Sequence, residues 1–159
     1  MSTFVDQLLS EGVVQSRIAT LLRPSYRSRY QMVMNAIQEH LIPLGFRIPP
    51  LSLPIAGGYF IWIDLPDSLQ ASTLTEKALV DESLRIGSGP LFQVQGDPAE
   101  DRDDFEGSIR ISFAWEEVEL LEEGVRRLAD VARRMLIAGS ATVVCKDPQG
   151  SGPLFLLPS

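Results

Sequence analysis

Apolar residues recur every three to four positions over long stretches of this chain and every second position over short ones. The first long stretch covers residues 13–40, where Val14, Ile18, Leu21, Tyr26, Tyr30, Val33 and Ile37 share one face. That spacing predicts an amphipathic helix. Pro24 lies inside it and is expected to kink or split it, because proline has no amide hydrogen and its ring crowds the turn before it. A short helix is expected upstream over Phe4, Val5, Leu8 and Leu9, capped by Ser2 and Thr3 and broken at Gly12. Residues 72–84 read as another helix, with Leu74, Ala78 and Leu79 facing inward. The last helix is the best defined, with Val118, Leu121, Val125, Leu128, Ala132 and Met135 stepping by three and four. Glu116, Glu117 and Glu119 open it and Arg133 and Arg134 close it, an order that complements the helix dipole. Glu122/Arg126, Glu123/Arg127 and Asp130/Arg134 are expected to pair along it, at about 0.2–0.5 kcal/mol each. Gly139 is expected to end it.

Two segments alternate instead. In Gly57-Gly58-Tyr59-Phe60-Ile61-Trp62-Ile63-Asp64-Leu65-Pro66, Phe60 and Trp62 point one way and Tyr59, Ile61, Ile63 and Leu65 the other. Apolar residues on both faces predict a strand covered on both sides, with Phe60 and Trp62 as core aromatics. In residues 109–114, Ile109, Ile111 and Phe113 oppose Arg110, Ser112 and Ala114, which predicts a strand with one polar or functional side. Leu84, Arg85 and Ile86 suggest a third, short strand. Residues 93–107 are rich in acids and read as a solvated loop. The order of elements implies an α+β fold of two layers, the long N-terminal helix and the C-terminal helix packed on a small sheet. Residues 1–137 are expected to form this domain and residues 138–159 an irregular tail.

A length of 159 residues suits one domain. The net charge of −7, from 21 acids against 14 bases, argues against binding a nucleic-acid backbone. One cysteine, Cys145, and one histidine, His40, can build neither an internal disulfide nor a His/Cys metal site. No secretory signal or bilayer-length apolar run is visible, so a soluble cytoplasmic protein without a membrane partner is expected. Lysine is confined to Lys77 and Lys146.

The aromatic strand from Gly57 to Pro66, the segment Ile86-Gly87-Ser88-Gly89-Pro90-Leu91-Phe92, and Ile109-Arg110-Ile111-Ser112-Phe113-Ala114 ahead of an amphipathic helix occur in a meaningful order. Together with Tyr26, Arg29, Val33, Ala36 and Ile37 upstream, they resemble the C-terminal small domain of class I/II, fold-type-I aminotransferases that use pyridoxal 5'-phosphate. The aromatic and 2-aminoadipate transaminases are the nearest kind. The resemblance covers residues 13–136. It implies that Arg110 binds the substrate α-carboxylate. A guanidinium is permanently charged and presents a planar fork that matches a carboxylate in two hydrogen bonds. The plainer reading of the strand pattern alone is an ion pair with an acid of residues 93–107. Gly57 and Gly58 offer either a tight turn or close backbone approach to a ligand. Tyr59 lines the substrate pocket or fills core. Gly89 and Phe92 match the family's Pro-Gly-x-x-Phe loop, but Ser88 replaces the proline, which is expected to loosen that loop.

The resemblance also marks what these residues do not match. The family's Schiff-base lysine lies in a Ser-x-x-Lys segment, and neither Lys77 nor Lys146 has that setting. The expectation is therefore a portion of an aminotransferase that contributes Arg110 and a pocket wall, takes an amino acid or 2-oxo acid, does not retain the cofactor alone, and needs a large-domain or homodimer partner. Whether it is an enzyme by itself stays open. The alternative is a ligand-sensing or interaction module built on the same domain.

Overall fold

The computed structural model describes residues 2–50, 58–93, 96 and 105–144. Gly57, Cys145, Lys146, the predicted tail beyond Val144 and most of the acidic segment 93–107 lie outside the described residues.

The N-terminal half is helical. Helix α1 (Ser2–Ser10) ends at Gly12, whose φ of +73° turns the chain into α2 (Val13–Arg17). The helix then widens to a π turn at Ile18–Leu22 before α3 (Arg23–Ala36), a second π turn at Ile37–Leu41 and a 3-10 turn at Ile42–Leu44. Pro24 neither stops the helix nor divides it into separate rods. Instead the Arg23 amide donates to the Ile18 carbonyl five residues back. The wider turn immediately before Pro24 accommodates the ring and its missing donor. The buried face begins only at Val33, Ala36, Ile37 and Leu41, whereas Ile18 and Leu21 are exposed.

Three antiparallel strands follow: β1 (Phe60–Asp64), β2 (Gly87–Ser88) and β3 (Ser108–Ser112), in the order β1-β3-β2. Trp62 and Gly87 are both register partners of Arg110. Between β1 and β2 runs α4 (Ala71–Glu82), and α5 (Val118–Val144) closes the described chain. Ile61, Ile63 and Ile109 on one face of the sheet are buried with Val33, Ile37, Leu74, Leu121, Val125 and Leu128 of the helices. Each such side chain contributes about 1.5–3 kcal/mol by leaving water. This is the expected α+β arrangement of helices on one small sheet.

Several sequence expectations need correction. Among the described residues, the helices cover one face of β1 only. Ile61 and Ile63 are buried, but Phe60 is 45% exposed and Trp62 half-buried, so neither aromatic belongs to the buried core. Leu79 is exposed, because only Ala71, Leu74 and Ala78 of α4 reach the core. The short strand is Gly87–Ser88, not residues 84–86, because Ser83 at φ +52° closes α4 and leaves residues 83–86 as connection. Helix α5 passes through Gly139 to Val144. A single glycine costs a helix only about 1 kcal/mol, too little to stop it without a breaker beyond.

The ion pairs also differ. Arg126 pairs with Glu123 at 2.7 Å and Asp130 at 3.4 Å, and Arg133 takes Asp130 at 2.6 Å. Arg127 and Arg134 reach across to Glu82 of α4, at 3.5 and 2.9 Å. The inter-helix geometry thus claims two arginines that spacing along α5 assigned elsewhere. The Arg134 hydrogen bond holds the Glu82 carboxyl below its usual pKa, opposed by desolvation and helped by Arg127. A lowered carboxylate pKa stabilises the fold above the unfolded value of about 4.3, and that contribution fades as pH falls through the folded value. Glu82→Gln is therefore expected to lower the melting temperature at pH 7, with the deficit shrinking as the pH drops below about 4. Thermal melts across that range check it; a deficit independent of pH would contradict it.

Candidate functional site

The face of the sheet turned away from the helices carries Phe60, Trp62 and Asp64 of β1 and Ser108, Arg110 and Ser112 of β3. Alternation along two paired strands puts these side chains together. Asp64 is occupied by Ser108, whose Oγ donates at 2.9 Å. Arg110 is half-buried and makes no ion pair with a carboxylate among the described residues. Its guanidinium carbon lies 3.5 Å from the centre of the Phe92 ring and 4.0 Å from that of Phe60.

Phe92 reaches this face from the 3-10 turn Gly89–Phe92 that follows β2. Trp62 meets its ring edge-on at 5.5 Å and also packs at 5.9 Å from Phe105. Ser88 has φ −69° and ψ 137°, the backbone a proline would adopt. Ser88 itself thus holds a conformation that proline could take. The substitution leaves a buried Ser88 Oγ with no hydrogen-bond partner among the described residues. An unsatisfied buried hydroxyl costs about 1–3 kcal/mol. Ser88→Ala is accordingly expected to stabilise the domain by about 1 kcal/mol in denaturant melts; a loss of stability would reveal a partner for the hydroxyl.

The other sequence candidates are placed differently. Gly58 turns into β1 at φ +89° in open surroundings, since a Cβ there would meet nothing within 4 Å. Tyr59 is half exposed and packs on Tyr26 of α3, ring centres 4.9 Å apart. It points opposite to Phe60, so Tyr59 and Arg110 are not brought together. Arg29 of α3 clamps the segment after β3, its Nη1 donating to the carbonyls of Phe113 at 3.4 Å and Glu116 at 2.5 Å. Sequence reasoning missed Phe60 and Phe92 as neighbours of Arg110. The signal for Phe60 was available, because its parity in β1 matches that of Trp62.

No family model matches the chain. A 2-aminoadipate transaminase of Thermus thermophilus is 30% identical over 83% of this chain and 30% of its own length. Among solved structures, LysN, an α-aminoadipate aminotransferase from the same species complexed with N-(5'-phosphopyridoxyl)-L-leucine, superposes with a TM-score of 0.63. That match has 27% identity and covers 84% of this chain and 31% of that one. The chain is a small-domain relative of the pyridoxal-phosphate-dependent aminotransferases. An uncharacterized HTH-type transcriptional regulator of Bacillus subtilis, YisV, is also similar, 25% identical over 82% of this aminotransferase-like chain and 24% of its own. The chain spans 24–30% of the length of the curated relatives it matches.

Bound pyridoxal phosphate supplies an electron sink that makes amino-group transfer accessible. The described residues of this aminotransferase-like domain do not fit that group. Lys77, the one lysine among the described residues, is exposed on α4, and the Arg110 face of the sheet carries none. No step through the coenzyme is assigned to these residues. What they offer is one half-buried guanidinium on the sheet, packed against two aromatic rings. No described helix is long and apolar enough to cross a membrane.

Proposed function

We propose that this domain supplies the α-carboxylate-binding arginine of a pyridoxal-phosphate aminotransferase, exchanging an amino group between an amino acid and a 2-oxo acid. The observation that carries the reading is Arg110: half-buried on a strand, stacked by aromatic rings, and without a carboxylate partner among the described residues. A paired arginine would have been structural. One that no described carboxylate engages keeps its two-pronged edge for a ligand. Tyr59, turned to the other side of β1 and packed on Tyr26, takes no part in binding that carboxylate, and neither does Gly58 beside it.

The coenzyme and its lysine are supplied by a large domain, while these residues supply the arginine. The apolar side chains that α1 and the following helix leave exposed, including Phe4, Val5, Leu9 and Leu21, support such a partner surface. The test is co-expression with an aminotransferase large domain lacking its own small domain, followed by a transamination assay. Restored turnover supports the reading; a folded pair without turnover contradicts it. The similarity to a transcriptional regulator favours ligand sensing as the second reading. Arg110-dependent binding of an amino acid without turnover in the same mixture would select it.

A further inference from the structure

We infer that Phe92 is a positioning residue for Arg110, holding the guanidinium against its ring while leaving the N–H groups to the ligand. The inference rests on the carboxylate-binding reading above and adds the device that aims the arginine. With Phe92 at 3.5 Å and Phe60 at 4.0 Å from the same carbon, the guanidinium is packed against two aromatic rings. Both rings present a face to that carbon. The negative ring faces stabilise the cation without neutralising it. The rings accept no conventional hydrogen bond from it, and no described carboxylate does, so the N–H fork keeps the geometry that binds a carboxylate through two hydrogen bonds.

The slot that fixes Phe92 is built into the fold. Gly87 lies directly beneath the ring: a Cβ there would stand 2.9 Å from both Cε2 and Cζ of Phe92. Gly87 is also the register partner of Arg110, so the ring is held over the very pair that carries the charge. Trp62, the partner of Arg110 on the other strand, supports the ring edge at 5.5 Å. An acid in place of the rings would hold the arginine equally well but would compete with the ligand.

The experiment uses the whole chain, with 2-oxoglutarate as probe, followed by the Arg110 Nε–H resonance in NMR spectra. In the parent chain that proton is expected upfield of the other arginines because of the ring currents, and 2-oxoglutarate is expected to bind saturably. Phe92→Leu should return the resonance to its ordinary position and weaken binding about fivefold, with circular dichroism unchanged. Phe92→Tyr should restore both. An unshifted resonance in the parent chain overturns the inference without needing any variant, as does Phe92→Leu binding with parent affinity. If Arg110→Ala binds as well as the parent chain, or the parent chain shows no saturable binding, the carboxylate reading itself fails, and the resonance still judges the stack on its own.

Discussion

Arg110→Ala, in a reconstituted aminotransferase, is expected to lower kcat/KM about a hundredfold or more while leaving the domain folded. Two charge-assisted hydrogen bonds to a carboxylate are worth about 1.5–3 kcal/mol each, and their loss removes binding energy that orients the substrate. The fold should lose little. Arg110 makes no ion pair among the described residues, and its two ring contacts amount to about 0.5–1 kcal/mol each. That contrast between activity and stability separates a ligand-binding arginine from a structural one. Arg110→Lys should fall between the parent and the alanine variant, since an ammonium keeps the charge and loses the fork. Equal kcat/KM for the parent and Arg110→Ala would remove the proposed function.

The helices were legible because their apolar spacing survives inspection one residue at a time. The steps from Val118 to Met135 and from Tyr26 to Ile37 coincide with the faces that α5 and α3 turn inward. The parity of Arg110 against Ile109 and Ile111 was legible for the same reason, as period two needs no partner to be recognised. Cross-element geometry was not legible. Helical spacing pairs Arg127 with Glu123 and Arg134 with Asp130, yet both arginines turn to Glu82 because α4 lies alongside α5. Nor does hydropathy say which aromatic faces a core. Phe60 and Trp62 are as apolar as Ile61 and Ile63, but the helices cover only one side of the sheet. The open side is the one that carries Arg110, so the misread aromatics and the missed neighbours of the candidate site are one error with one cause.

Gly89→Ala is expected to destabilise the domain by about 3–5 kcal/mol, enough to leave much of it unfolded at room temperature. An added Cβ would stand 2.5 Å from the Ser108 carbonyl oxygen and 2.9 Å from the Phe105 Cβ, and would collide outright with the Phe105 carbonyl oxygen. Two of these obstacles are backbone, so no rotamer change relieves them. Relief requires the start of the 3-10 turn to move off the segment that leads into β3. That segment is itself tied down: the Leu65 amide donates to Gly107 O at 2.7 Å and the Ala71 amide to Glu106 O at 2.8 Å. The same displacement would carry Phe92, three residues on, away from Arg110. Gly58→Ala is the control, because its cost is confined to backbone strain at φ +89° with open space around it, about 1–2 kcal/mol. Denaturant melts of the two variants should therefore differ by about 1–4 kcal/mol, with Gly89→Ala the weaker. Equal midpoints would mean that the turn can shift cheaply, and the slot that holds Phe92 over the arginine would then be looser than its contacts imply.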